Sequence, residues 1–452
     1  MKSTDKYNLV EGGIVNKLFL VAFPLIAMQV FQMAYNLTDM FWLGRLSSDA
    51  VAASGTVGMY LWLSLAFMFF GRMGSEIGVS QNFGRGDREK ALDYAQNAIM
   101  VGAALGTVVA VVFVLGRGPL IGFFRIQEPI VEQYAKEYLG LVSMAFPFLF
   151  TVAAVSGIFN GSGNSRISLL INGFGAVMNI ILDPILIFSA GLGIRGAGIA
   201  TIIAQASAAC LAIIVLKKYK NRPFEKIVIF KRPDRDIVRQ IFKWVIPISV
   251  ESFLFTFLTM FIARLITSFG SSAMAAQRVC SQIESLTWLI AAGYASAITA
   301  YSGQNFGAGK WKRIRRGYGV SIGVMAGWGG AVSLLLYFGC YTLIGIFVPD
   351  DPEIVAIGVG YMRILALVQI PACLEGVAAG TFRGQGKTIP PSIVSVTINT
   401  LRVVMAFVLT SYTPLGLNGI WISLAAGAGG RGIAINIWYL IHSKRQAREH
   451  SL

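Results

Sequence analysis

Charge is scarce in this chain, and the scarcity is its first constraint. Only 13% of the 452 residues are Asp, Glu, Lys or Arg, against about 25% in ordinary soluble proteins, while 55% are hydrophobic. A water-soluble globule is therefore a poor reading. Histidine is nearly missing: His442 and His450 both stand near the carboxy-terminal end. No His cluster or Ser-His pairing is available for catalysis, so an enzyme is not expected. Any proton relay inside the apolar region has to use carboxylates or tyrosines. The four cysteines, Cys210, Cys280, Cys340 and Cys373, are scattered singly with no Cys-x-x-Cys pair. Neither disulfides nor a metal site follow from them. The run Gly84-Arg85-Gly86-Asp87-Arg88 has the glycines of a phosphate loop but lacks its lysine and hydroxyl, which removes nucleotide hydrolysis as an expected energy source.

What the chain does have is apolar stretches of about 20 residues along its whole length, each able to cross a hydrocarbon core of about 30 Å as a helix. The predicted spans are 15–43, 51–80, 93–115, 136–160, 166–190, 194–216, 240–267, 274–301, 317–342, 358–382, 389–411 and 419–441. The fold class is thus all-α integral membrane, with twelve transmembrane helices. The formal charge of +16 would suggest nucleic acid on a compact soluble face, but the basic residues lie in short connections between apolar runs. Arg85–Lys90, Lys217–Lys243, Lys310–Arg316, Arg383–Lys387 and Lys444–Arg448 all follow even-numbered spans. By the positive-inside rule both termini are expected in the cytoplasm, with the chain in the inner (plasma) membrane as a multi-pass protein that binds no nucleic acid. The first apolar run lacks a small-residue cleavage site and is expected to be a retained helix.

The chain repeats itself. Gln81-Asn82-Phe83-Gly84 followed by Gly86 reappears as Gln304-Asn305-Phe306-Gly307 followed by Gly309, 223 positions later. The same offset links Pro24 to Pro247, Ser48 to Ser271, Phe159 to Phe382, Gly161 to Gly384 and Gly163 to Gly386. Each half holds six spans, an even number, so the copies share one orientation about an axis along the membrane normal, with a central cavity between them. The expected division is an amino-terminal lobe over residues 1–222, a basic connection over 223–240 and a carboxy-terminal lobe over 241–452. The Gln-Asn-Phe-Gly segments read as tight turns whose amides bond local backbone.

Ionisable groups inside apolar spans carry the functional information, because an Asp or Lys at a helix centre costs about 2.5–3.5 kcal/mol to insert. In the first span Gln29, Gln32, Asn36 and Asp39 share one helical face. In the fifth, Asn179 and Asp183 are one turn apart, with Pro184 beside the carboxylate. Their equivalents in the second half are Ile262 for Asp39, Arg402 for Asn179 and Ala406 for Asp183, so the acidic site belongs to one lobe. Gln32, Tyr35 and Asn36 are candidates to line the substrate cavity. Buried acids of the second half, Glu251, Glu284 and Glu375, are further cavity candidates, with Arg264, Arg278 and Arg402 available to pair with them. Glu76 is expected to pair with Arg72 one turn back.

Pro24, Asn36-Leu-Thr-Asp39-Met-Phe-Trp-Leu-Gly, Met178-Asn179-Ile-Ile-Leu-Asp183-Pro and the paired Gln-Asn-Phe-Gly segments resemble the multidrug and toxic compound extrusion family, over nearly the whole chain. The resemblance implies two homologous six-helix bundles around a central cavity and antiport of substrate against protons or sodium. It also implies that Asp39, Asn179, Asp183 and Thr201 form a cation site in the amino lobe, that Pro24 lets the first helix bend, and that Glu251 corresponds to an acid some members use on the seventh helix. No cofactor is expected beyond the coupling ion, H+ or Na+, with Na+ held at Asp39, Asn179 and Asp183. The expected partners are small organic cations or amphipathic compounds and the lipid bilayer, and the working unit a monomer. The alternative is a lipid or lipid-linked oligosaccharide flippase of the same superfamily, whose pyrophosphate substrate would call for a cavity lined with Arg and Lys.

Overall fold

The computed structural model describes residues 7–228, 232–349 and 351–449. Helix dominates because the apolar runs have no water to satisfy their backbone in lipid. The helices are α1 (Ile14–Leu46), α2 (Ser48–Arg85), α3 (Arg88–Gly122), α4 (Pro129–Ser143), α5 (Phe146–Gly161), α6 (Ser165–Pro184) and α7 (Ile194–Lys218) in the first half. In the second half they are α8 (Arg235–Thr267), α9 (Ser271–Gly307), α10 (Trp311–Phe347), α11 (Pro352–Ala366), α12 (Gln369–Gly384), α13 (Ile389–Tyr412) and α14 (Leu417–Glu449). Several starts are set by polar caps that accept first-turn N–H groups: Ser47 for α2, Asp87 for α3, Asp234 for α8 and Asp351 for α11. The start capped by Asp234 falls inside the expected connection of 223–240, since α8 is already under way at Arg235.

The fourth and tenth spans are broken. α4 and α5 meet at 45°, and α11 and α12 at 51°. Each break comes just before a proline in the first turn of the following helix, Pro147 or Pro371, which cannot donate a backbone hydrogen bond to the helix before it. Among the described residues nine helices are long and apolar enough to cross a membrane, and each bent pair adds one more span. The twelfth, α9, is 37 residues long but carries Gln277, Arg278, Gln282 and Glu284 on its outer half, so length and repeat position identify it where hydropathy does not.

The 223-residue offset holds at the level of the elements. It carries the bounds of α4 onto α11, of α5 onto α12 and the start of α7 onto α14. It also carries the left-handed turns at Gly86 and Gly163 (φ +80° and +88°) onto Gly309 and Gly386 (φ +67° and +74°). One element breaks the symmetry: Ile185–Ser189, straight after Pro184, forms a π-helical turn, whereas the equivalent stretch of α13 is α-helical.

The two lobes join near the face that bears the basic connections, here the basic face. Leu18, Val21, Ala22, Leu25 and Met28 of α1 pack with Tyr294, Ala297, Tyr301 and Phe382 of the second lobe. Reciprocally, Ile237, Ile241, Trp244 and Ile248 of α8 pack with Phe70, Met73, Ile77 and Tyr94 of the first. The outer ends of both helices return to their own lobes, Leu43 of α1 among the first-lobe core and Ile262 and Ile266 of α8 among the second. Around the pseudo-twofold axis the Gln-Asn-Phe-Gly segments cross. Gln81 Nε2 donates to Gly384 O (2.9 Å) and Gln304 Nε2 to Gly161 O (2.8 Å). A Cβ on Gly84 would lie 1.8 Å from Gln304 O, and one on Gly307 would lie 1.8 Å from Gln81 O. The expectation of turns with local amide bonds is therefore corrected. The segments are the helical ends of α2 and α9, and only Asn82 and Asn305 bond within their own helix. The glutamines bond across the seam because self-complementary contact is what an axis demands. From Ser249 Oγ to Ala66 O, near the middle, the hydrogen bonds between the lobe helices among the described residues run toward the basic face. A cleft therefore opens between the lobes on the opposite side, the far face.

Candidate ion-coupling site

Three helices of the first lobe bring the four predicted coupling residues together near the far face. Asp39 is on α1, Asn179 and Asp183 on α6, and Thr201 on α7. Asn179, Asp183 and Thr201 are all buried, Asp183 with no exposed surface at all. Asn179 Nδ2 reaches Thr201 Oγ1 at 3.5 Å, and that hydroxyl donates to Ala197 O (3.0 Å). Asp39 and Asp183 are within electrostatic reach of one another and of Tyr35, whose hydroxyl lies against Thr201. The sole protein donor to either carboxylate among the described residues is Tyr138 on α4, 3.4 Å from Asp39 Oδ2. Asp39 Oδ1, both oxygens of Asp183 and Asn179 Oδ1 are buried with no hydrogen-bond partner.

Buried acceptors are normally satisfied. An array of four orphaned oxygens, three of them on carboxylates, is chemically a receptor for a proton or a small hard cation. The π-helical turn after Pro184 adds to this, since such turns leave α-type backbone bonds unmade beside a site. Gln32 and Asn36, predicted for the cavity, are exposed on α1 and bonded to each other (3.4 Å), whereas Tyr35 on the same helix turns to the carboxylates. Pro24 is buried inside an unbroken α1.

The acids of the second lobe are placed differently. Glu251 pairs with Arg383 (3.3 Å) and accepts from Ser392 Oγ (2.9 Å). Glu375 pairs with Arg431 (3.0 Å), which also holds Asn399 Oδ1 at 2.6 Å. Neither is paired with Arg264, Arg278 or Arg402, the partners expected from the sequence, because α12 and α14 bring Arg383 and Arg431 closer. Glu284 is buried and accepts from Trp288 Nε1 (3.1 Å) and Tyr361 Oη (3.3 Å). Arg402 is buried with Nη2 3.4 Å from Thr259 Oγ1 and its Nε unpartnered. Glu76, expected to pair with Arg72, has Arg72 in electrostatic reach but takes its hydrogen bond from Ser296 Oγ of the other lobe (2.9 Å).

Comparison with known proteins supplies the family. The MatE profile matches residues 24–185 and again 247–408. These two segments begin at Pro24 and Pro247, are displaced by the repeat offset, and together make up more than half of the chain. The chain belongs to the MatE family of transporters. Among MatE relatives, the probable multidrug resistance protein NorM of Thermotoga maritima is 28% identical over 91% of this chain and 89% of its own length. The probable multidrug resistance protein YoeA of Bacillus subtilis is 26% identical over 90% and 89%. Among solved structures, a MATE protein in its bent conformation superposes with a TM-score of 0.93 at 20% identity, over the whole of both chains. A superfamily transporter from Pyrococcus furiosus, described as having a binding pocket of reverse polarity that suggests a different function, superposes at 0.91 with 20% identity, over 98% of this chain and 99% of its own. This MatE chain therefore shares its twelve-helix, two-lobe frame with both.

Reading the residues one by one missed Tyr138. The signal was present: 223 positions on stands Tyr361, and both tyrosines donate to a buried carboxylate, Asp39 in one lobe and Glu284 in the other.

Proposed function

We propose that this chain is a secondary active multidrug exporter of small cationic or amphipathic organic molecules, driven by counterflow of protons or sodium through Asp39, Asn179, Asp183 and Thr201. The observation that supports this most is the set of orphaned oxygens in the first lobe. Unneutralised carboxylates in a buried site cost several kcal/mol, so binding of H+ or Na+ changes which arrangement of α1 and α6 is most stable. Neutralisation lets α1 bend at Pro24, shrinks the first-lobe side of the cleft and expels the bound molecule; reopening at the basic face requires release of the ion. Basic connections on the lobe-closing face support a cytoplasmic position for that face and both termini in the inner membrane, with the open cleft looking outward. One chain holds both lobes and the whole site, which suits a monomer.

Arg402 favours a second reading, a flippase for pyrophosphate-linked lipid, because its Nε is unpartnered. Against it, Arg431 and Arg383 are already neutralised by Glu375 and Glu251, and the unpartnered carboxylate oxygens of Asp39 and Asp183 in the first lobe repel a diphosphate. The test is uptake of a fluorescent cationic dye by proteoliposomes under imposed pH or sodium gradients. Gradient-driven dye movement that Asp39→Asn and Asp183→Asn both abolish is the expected result. Movement untouched by either substitution sinks the coupling role, and no movement under any gradient sinks the exporter reading.

A further inference from the structure

At the basic face, beneath the crossing of α2 and α9, lies a half-open cavity of about 630 Å³ to which both lobes contribute. Arg85 and Arg88 come from the end of α2 and the start of α3, Asn164 from the turn before α6, and Lys310 from the turn before α10. Glu11 is the one carboxylate on its wall among the described residues. It lies on the rim, 70% exposed, 3.9 Å from Lys310. The cavity thus holds three cations against one mostly solvated anion. Arg88 is braced over the Phe83 ring at 3.8 Å, and Lys310 Nζ donates to Val10 O (3.2 Å).

Asn164 gives this cavity the character of a built site. It is 3% exposed, yet neither its Oδ1 nor its Nδ2 has a hydrogen-bond partner. A buried amide with both ends unsatisfied wants a ligand. Its NH2 group is a donor, and the flanking guanidinium and ammonium groups are the donors that recognise phosphate oxygens. The volume exceeds what a bare phosphate fills and lies in the range of small-molecule sites, about 300–1,000 Å³. The coupling carboxylates stand at the opposite end of the lobe, so this cavity is separate from them.

We infer that this seam cavity binds a phosphate-bearing organic anion, through Arg85, Arg88, Lys310 and Asn164. The ligand comes either from solution as a phosphate ester or from the leaflet as a phospholipid headgroup. Because the donors sit on both lobes, the intact site exists only while the lobes are closed at this face. Binding therefore favours that state by linkage. This consequence rests on the alternating-access reading; the binding itself does not.

The test uses the full chain in phosphatidylcholine nanodiscs at fixed ionic strength set with chloride. Glycerol 3-phosphate is titrated by calorimetry in one arm, and in the other phosphatidylglycerol replaces part of the lipid and the melting temperature is read. Saturable binding in either arm, weakened at least about tenfold by the exposed pair Arg85→Gln with Lys310→Gln, is the expected result, and the arm that responds names the source. Asn164→Leu, with an unchanged melting temperature in phosphatidylcholine, is expected to weaken binding as well. No saturation in either arm, or binding indifferent to the double substitution, overturns the site. Spin labels at Glu89→Cys and Arg316→Cys, on a Cys210→Ser background, then read lobe separation. Narrowing toward the closed distance on ligand addition supports the linkage, and an unchanged distribution despite binding refutes the linkage alone.

Discussion

Replacing Gly84 by alanine tests whether the α2–α9 crossing holds the lobes together. The added methyl would sit 1.8 Å from the backbone oxygen of Gln304, where an ordinary contact is about 3.5 Å or more. A carbonyl in a helix cannot swing aside, so the two helices must part by more than about 1.5 Å. That displacement takes the Gln81–Gly384 and Gln304–Gly161 bonds, 2.9 and 2.8 Å long, beyond about 4 Å, where neither is a hydrogen bond. Stranding buried amides costs about 1–3 kcal/mol each. Even at the lower bound the closed arrangement loses about 2 kcal/mol, and the ratio of closed to parted lobes falls about thirtyfold at about 1.4 kcal/mol per tenfold. Spin-label distances across the basic face are the assay, with dye export measured in parallel. Gly319→Ala is the control, since nothing lies within 4 Å of its Cβ and the change raises helix propensity. A Gly84→Ala chain with wild-type distances and wild-type export would refute the argument that this crossing is the closing contact.

Tyr138→Phe removes a single long bond to Asp39 and leaves the orphaned oxygens in place, so export should persist with apparent ion affinity changed by less than about tenfold, a loss of about 0.5–1.5 kcal/mol; an ion titration of dye export checks it. Glu251→Gln strands Arg383 in a pair whose side chains are only 16% and 23% exposed. It should destabilise the second lobe by about 3 kcal/mol, seen as a lower melting temperature in detergent, and Glu251→Gln combined with Arg383→Gln should recover part of the loss. Pro24→Ala restores a backbone donor inside α1, where proline costs about 3 kcal/mol or more. Melting should be unchanged or raised while dye export slows, and export at the wild-type rate would remove the bending role.

Much of the frame was legible in the sequence because the chain states it twice. One 223-residue offset, visible in Gln81-Asn82-Phe83-Gly84 and its copy, implied two parallel lobes, and the structure carries it through the bent pairs and the left-handed glycines. The inward-facing polar stripes of Asp39 and of Asn179 with Asp183 were legible for a different reason, since polar residues in an apolar helix have to turn away from lipid, whereas their grouping with Thr201 came from the family resemblance alone. Three things were not legible. The breaks after Ser143 and Ala366 lie inside continuous apolar runs, where hydropathy has no contrast. The ion partners of Glu251 and Glu375 depend on which helices become neighbours, so Arg383 and Arg431 could not be chosen over Arg402. Hydropathy also understates α9, because a helix that faces a cleft and a second lobe need not be as apolar as one that faces lipid on most of its surface.

The pattern of what the repeat keeps and what it changes has a physical cause. A residue on the pseudo-twofold axis meets the copy of its own surroundings, so its chemistry must complement itself, as in an isologous interface. Gln81 and Gln304 can each donate to the other lobe's equivalent carbonyl, and Gly84 and Gly307 can each yield space to the other's neighbour. Changing either copy alone would unbalance both contacts. Off the axis no such constraint acts. Asp39 corresponds to Ile262 only through the repeat, so one lobe can hold unpartnered carboxylate oxygens while the other holds Arg402 and a set of paired acids. Tyr138 and Tyr361 show the intermediate case: the donor is kept in both lobes while the acid it serves has moved from α1 to α9. The orphaned carboxylates can therefore sit in one lobe, and the crossing of α2 with α9 cannot.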